Sequence, residues 1–323
     1  IVYCEQGIGD YVMFGLMFSE LRKYARSITI EVNARLASLF RRSFPDMPVI
    51  DRNMLPANWD PRNYQAKAAM GELYRLLRAD MENLPNRGGF LIPEPALALK
   101  LRKRYRELFP GKRLIGISWR SGNRDSATIR SIDLDLWRPI FETPDCAFIS
   151  LQYGDIGRDL EALRRETGHV VHWDREVDPT QYLDPFTAQI AAMDLVISVD
   201  NSTVHFAGAI GKPCWVMLPV NSDWRWLTER TTSIWYDSLH LWRQQIGEGW
   251  RDVVARVADR LHAIGAEPLI DAQAELCLRC GEELLRREAM AAAEDYFRWL
   301  LETGRHKAAA FHGIGKAAQK ARH

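Results

Sequence analysis

Short runs rich in Val, Ile and Leu alternate with segments of helical periodicity along most of the chain, and this alternation constrains the fold more than any other feature. A strand, a covering helix and a further strand in succession close most readily as a parallel sheet with helices on its faces. The alternation comes in two series. In the first, Ile1 to Cys4 reads as a strand, 10–25 as a helix, 27–32 as a second strand and 34–44 as a helix before Pro48-Val49-Ile50. Residues 51–92 are irregular around one helix near 68–77, so this first domain is small. A charged helix, 95–108, acts as the connector. The second series is longer, with strands at 113–119, 147–152, 169–173, 195–199 and 213–218 and helices near 134–141, 156–167, 185–193 and 201–210. Five strands with intervening helices make a doubly wound α/β domain, closed by a helix over 250–264.

After residue 265 the strand signals stop and Ala, Leu, Glu and Arg dominate. Gly281 and Gly315 lie 34 residues apart, and the same offset relates Cys277 to Phe311, Cys280 to Ile314 and Leu284 to Ala318. Ala293 and Phe297 follow Gly281 at the spacing of small and aromatic packing residues on a second helix. This segment, 266–323, resembles one complete tetratricopeptide unit and the beginning of another, which implies a peptide or protein partner on a concave helical face. One and a half repeats do not stand alone, so they are expected either to pack on the preceding domain or to belong to an array continued beyond this chain. Cys277 and Cys280 then occupy packing positions. A CxxC pair without a second pair is no zinc signature, and five scattered cysteines make no disulfide framework.

Lys plus Arg number 43 and Asp plus Glu 42, so no global field draws the chain to nucleic acid or to an anionic membrane. An anionic ligand must therefore be met by local groups. No apolar run approaches the roughly 18 residues of a membrane span, and nothing at the start reads as a signal peptide. The expectation is a soluble, cytoplasmic protein. The chain opens without Met on a strand-like run and is expected to be a segment of a longer one.

Two segments carry chemistry. Glu5-Gln6-Gly7-Ile8-Gly9-Asp10 lies between a strand and a helix. Its glycines allow a tight turn and close approach of a ligand, and Asp10 could either cap the helix or take a proton from a substrate hydroxyl. Val12 stands where a dinucleotide fingerprint needs its third glycine. The second segment runs from Val196 to Pro213. A strand ends in Asp200, the capping residues Asn201, Ser202 and Thr203 follow, and a helix begins whose first-turn amides and dipole suit a phosphate. Asp200 and His205 are expected to face the same space. Each also has a structural account, Asp200 as the N-cap and His205 as a helix histidine bonded to a carbonyl.

The string Asp200 to Pro213, with Trp215-Val-Met-Leu-Pro219, Asp223-Trp224-Arg225-Trp226, Ser233-Ile-Trp-Tyr236 and Leu241-Trp-Arg-Gln244, resembles the donor-binding half of heptosyltransferase-like glycosyltransferases of the family 9 type. The resemblance is to the bacterial branch fused to tetratricopeptide repeats. Glu5 to Asp10 is similar to that family's amino-terminal glycine motif, and Gly116-Ile-Ser-Trp-Arg120 with Arg130-Ser131 to its interdomain segment. The likeness spans residues 1 to about 264, with Asn201 in place of the usual Thr and Ser121 in place of a Gly.

It implies a GT-B fold of two Rossmann-like domains, 1–95 on the acceptor side and 96–265 holding a nucleotide sugar. It also implies inverting, metal-independent transfer to a hydroxyl of a protein or surface glycan, with no cofactor. Asp10 becomes the base, with Glu5 as second candidate. Gly7, Gly9, Asp200, Asn201, Ser202, Thr203, Val204 and His205 become donor-site residues, and Arg120 and Arg130 phosphate clamps. The alternative is a noncatalytic tetratricopeptide scaffold with a degenerate transferase domain. The eleven tryptophans are assigned to core and interdomain seam, except Trp119, which follows a strand end.

Overall fold

The computed structural model describes residues 1–54, 60–85, 87–122, 127–265, 270–302 and 305–321. Two parallel sheets form its frame. The first contains β1 (Val2–Tyr3), β2 (Ile30–Val32), β3 (Val49–Asp51) and β4 (Ala68–Ala69) in the order β3-β2-β1-β4. The second contains β5 (Arg113–Ser118), β6 (Cys146–Ser150), β7 (Leu195–Val199), β8 (Cys214–Leu218) and β9 (Leu239–Arg243) in the order β6-β5-β7-β8-β9. The principal helices are α1 (Ile8–Phe14), α2 (Ala34–Ser43), α3 (Pro95–Leu108), α4 (Gly157–Thr167), α5 (Leu183–Ala192), α6 (Ser202–Ala209) and α7 (Trp250–Ile264). A helical tail follows as α8 (Ile270–Arg286), α9 (Met290–Glu302) and α10 (Lys307–Lys320).

The two faces of the second sheet serve different cores, as the period of two along a strand requires. Ile115, Ile117, Leu195 and Ile197 point to a core shared with α7 and the 134–141 segment. Leu114 and Val196 point the other way, into a core continuous with the first sheet, α5, α6 and the tail. Among the described residues, no helix is long and apolar enough to cross a membrane.

Several elements depart from the sequence expectation. The 169–173 segment makes only one bridge, His172 to Ile149, and the fifth strand of its sheet is instead β9. The 10–25 helix is interrupted after Phe14, where Gly15 to Met17 tighten into a 3₁₀ turn with Gly15 close against Phe90 and Phe40. The 68–77 segment opens as β4, because Ala68 donates to Ile1 O at 3.1 Å beside β1.

In the tail, the Phe297 ring fills the space that side chains on Gly281 and Gly313 would take, at 2.8 and 2.5 Å from the corresponding Cβ positions. Gly315 and Phe311, the 34-residue counterparts of Gly281 and Cys277, lie instead on the open side of α10, with Phe311 exposed. The tail docks on the preceding chain. Tyr296 donates to Pro95 O at 3.1 Å, Arg287 pairs with Glu94 at 2.9 Å, and Arg102 lies over the Trp299 ring. Residues 266–269, where the tail was expected to begin, lie outside the described residues. All five cysteines are free thiols, Cys277 and Cys280 fully buried.

Candidate active site

In an open parallel sheet a crevice forms where neighbouring strands lead their chains away in opposite directions. β1 has β2 on one side and β4 on the other, and β5 likewise lies between β6 and β7. The segments leaving these points are Glu5 to Asp10, Trp119 to Gly122 and Asp200 to Ser202. They meet across a cavity of about 490 Å³, lined also by Arg130, Tyr153, His205, Asp223 and Arg225.

The first wall is the start of α1. Gly7 is the N-cap in extended conformation, and Asp10, at the third helical position, accepts from the Gly7 amide at 3.1 Å. Asp10 is therefore not the capping residue itself. Neither glycine adopts a left-handed backbone. What demands a glycine at position 9 is packing between the walls, since a Cβ there would lie 2.9 Å from the His205 ring. Glu5 is exposed, takes a hydrogen bond from its neighbour Gln6, and does not line the cavity.

The opposite wall is the start of α6. Its N-cap is Asn201, not Asp200. The Asn201 Oδ1 accepts from Thr203 N at 2.9 Å, while its amide donates to Ser118 Oγ and Arg120 O at 2.8 and 3.0 Å, tying β7 to β5. Val204 N bonds back to Asn201 O at 3.3 Å. The amides of Thr203 and Val204, expected to face a diphosphate, are thus already engaged, and neither residue lines the cavity. Ser202, at the first helical position where an amide has no partner within the helix, does line it.

Between the walls runs an alternating row of charges. Asp10 Oδ1 pairs with Arg225 at 2.8 Å, Arg225 with Asp223 at 2.9 Å, Asp223 with Arg130 at 3.0 Å and Arg130 with Asp200 at 3.1 Å. Asp200 is 2% exposed. Burial pushes its carboxyl above the ordinary value, against the pull of Arg130. His205, stacked on Trp226 and 3.3 Å from the Tyr236 hydroxyl, is buried as well. Its pKa falls to about 3 through burial, with Arg225 and Arg130 adding to the effect, so the ring is neutral at pH 7.

The two expected clamps separate. Arg130 faces the cavity, 14% exposed. Arg120 turns away, because Asp159 on α4 takes it at 3.0 Å and the Asp155 carbonyl at 2.9 Å. Trp119 is buried and donates to Asp159, whereas Trp224, expected in the core or seam, is exposed beside Arg225. The segment after β5 is braced by Gln152, whose Oε1 accepts from Ser118 Oγ, Trp119 N and Arg120 N at 2.8 to 3.0 Å. Ser121 is buried there with its amide bonded to Ser131. Gln152, Tyr153, Asp223 and Arg225 carried no assigned role in the sequence. Only the Asp-Trp-Arg-Trp run gave any signal for the last two. Among the described residues, no cluster of three or more His, Cys, Asp or Glu side chains could hold a metal ion.

No family model matches the chain. Protein FlbA of Caulobacter vibrioides is 30% identical over 282 residues, covering 82% of this chain and 46% of FlbA. The chain thus spans about half the length of that curated relative. Among solved structures, the ADP-heptose lipopolysaccharide heptosyltransferase II of E. coli superimposes with a TM-score of 0.55 at 15% identity, over 81% of this chain and 97% of that one. The glycosyl transferase family 9 structure from Veillonella parvula DSM 2008 gives 0.52 at 14% identity, over 81% and 96%. The chain shares its α/β fold with these two proteins.

Proposed function

We propose that the chain is a glycosyltransferase of GT-B architecture that moves a sugar from a nucleotide-activated donor to an acceptor hydroxyl. The observation that carries this reading is the cleft itself: a carboxylate on the start of α1 faces two arginines and the start of α6 across a cavity large enough for a diphosphate and a sugar. In this reading Asp10 removes the acceptor proton as the hydroxyl oxygen attacks the anomeric carbon from the side opposite the leaving group, inverting its configuration. The nucleoside diphosphate leaves with the bonding electron pair. Its growing negative charge is met by Arg130, Arg225 and the first turn of α6, so the step needs no metal. Neutral His205 fills the floor behind Ser202 rather than moving protons. The fold shared with the E. coli heptosyltransferase II and the Veillonella parvula family 9 glycosyl transferase supports the same broad class of reaction.

The tail belongs to this proposal as tetratricopeptide-type helices that hold a protein or glycan acceptor. Its support is the Gly281, Ala293 and Phe297 spacing and the clasp of Phe297 between glycines.

Thermal-shift measurements with UDP-, GDP-, ADP- and CMP-sugars test the donor class. A donor at a hundredfold over its dissociation constant should add about 2.7 kcal/mol of stability. Turnover with the stabilising donor should persist in EDTA. A chain that none of these donors stabilises would be a scaffold and not a transferase.

A further inference from the structure

The base assigned to Asp10 has both carboxylate oxygens occupied. Oδ2 accepts from the Gly7 amide at 3.1 Å, and Oδ1 is held by Arg225 at 2.8 Å. The positive guanidinium on Oδ1 opposes the arrival of a proton there and occupies the approach that a substrate hydroxyl would use. The Gly7 contact is a helix-end bond that leaves lone pairs free, so the obstacle is Arg225. This side chain comes from the loop after β8, on the wall that the donor reading assigns to the diphosphate. Its backbone is pinned there by Trp235, whose indole N–H donates to Arg225 O at 2.6 Å. Its Nε is buried and has no hydrogen-bond partner among the described atoms, although two of its other nitrogens hold Asp10 and Asp223. Arg225 is thus the one charged group of the row that reaches the first wall, and it is incompletely satisfied where it lies.

Resting on the donor reading above, we propose that Arg225 is a phosphate-binding residue that locks the base until donor arrives: the donor diphosphate takes the guanidinium from Asp10 and thereby frees Oδ1 for the acceptor hydroxyl. Rotation of the side chain alone accomplishes the exchange, because the pinned backbone keeps Arg225 on the cavity wall. A diphosphate offers more acceptor oxygens and more charge than one carboxylate, and a planar guanidinium binds such oxygens in pairs. The proton then passes from the acceptor O–H to Asp10 Oδ1 while the acceptor oxygen bonds to the anomeric carbon. The bond from that carbon to the diphosphate breaks, and its electron pair stays with the phosphate held by Arg225 and Arg130. Donor must therefore bind before acceptor becomes reactive, which also guards against activating water in the absence of donor.

The exchange makes a counterintuitive prediction: removing the base should improve donor binding. Isothermal titration of inorganic pyrophosphate, and of UDP, GDP and ADP, into the full chain would be compared for wild type, D10N, R225Q and the double variant, each checked for folding by its melting temperature. D10N should tighten pyrophosphate about tenfold, the scale of one charged hydrogen bond released for the ligand, and R225Q should weaken it by a similar factor. In the R225Q background, D10N should give no gain. If R225Q does not fold, R225M, which keeps an unbranched side chain without the charge, replaces it in the same cycle. A D10N gain that persists without Arg225 would reflect only the loss of a negative charge and would overturn the exchange, as would a D10N variant with unchanged affinity. Failure of wild type and D10N alike to bind any of these ligands would instead overturn the donor reading and the exchange with it.

Discussion

The two ends of α6 are built from the same kinds of residue and do opposite things. At its amino end, Asp200, Arg130, Asp223 and Arg225 line an open cleft and pair with one another along its wall. At its carboxyl end, charges are sealed in. Gly211, in the left-handed conformation (φ +74°), turns the chain so closely under Gly88 that a Cβ would lie 2.4 Å from its carbonyl oxygen. Phe90 N and Leu91 N donate to Ala209 O, and Arg279 from α8 reaches Ile210 O at 2.5 Å. Lys212 is fully buried, with its ammonium on Met193 O at 2.7 Å at the end of α5. Cations on terminal carbonyls and a carboxylate beside the first turn both suit the helix dipole. The difference is the covering: the tail closes one end, and nothing of the described chain closes the other. A charged cluster thus becomes a site through its access to ligand, not its composition.

The largest effect expected from this contrast is catalytic. Asp10→Asn should lower turnover by about 10² to 10⁴ while the fold is kept, whereas Lys212→Met, at the sealed end, should leave turnover near wild type. Steady-state kinetics on the two variants decides it. A large loss in Lys212→Met would mean that the sealed end takes part in the chemistry.

The second effect is one of proton linkage. Burial, with Arg102 adding to it, pulls the Lys212 ammonium down to about 8. Its folded pKa is below the unfolded value near 10.5, so the unfolded chain binds more protons between those pH values. Wild type should therefore gain stability relative to Lys212→Met as pH rises from about 8 to about 10.5, on the order of 3 kcal/mol in all. Chemical denaturation across that range would show the two curves parallel if the ammonium were in fact hydrated.

At the open end, Arg130→Gln should weaken nucleoside diphosphate binding by about ten- to a hundredfold, the scale of hydrogen bonds to a charged group. Arg120→Gln should change it little, because that guanidinium is held by Asp159 outside the cavity. Titration calorimetry on both variants separates the two arginines, and equal losses would show that Arg120 swings back.

The smallest expected effect lies in the covering itself. Gly281→Ala should destabilise by about 1 to 3 kcal/mol, since the new methyl meets the Phe297 ring at 2.8 Å. Gly315→Ala faces open space and should stabilise by about 0.5 to 1 kcal/mol through helix propensity. Melting curves of the pair that moved in the same direction would mean that the tail is looser than its packing suggests.

Much of this architecture is written locally. The alternation of apolar runs and helical periods identified both parallel sheets, and α3 and α7 begin and end where their patterns do, Pro95 at the first helical position of one and Asp252 bonding back to the Gly249 amide at the start of the other. The capping triplet after β7 marked the turn that borders the cleft, because capping depends only on residues within one turn. Tertiary structure decided the rest. Strand β9 was hidden because its pairing with β8 is what makes it a strand, and 169–173 lost its place to a single bridge for the same reason. Arg120 and Arg130 were equivalent as sequence and became a structural brace and a cleft cation only when α4 brought Asp159 to one of them. The Asp10–Arg225 pair joins residues 215 positions apart. No local propensity encodes such a contact, since it depends on how two sheets carry their loops to a common cleft, and the reach of a charge is set by distance in space, not along the chain.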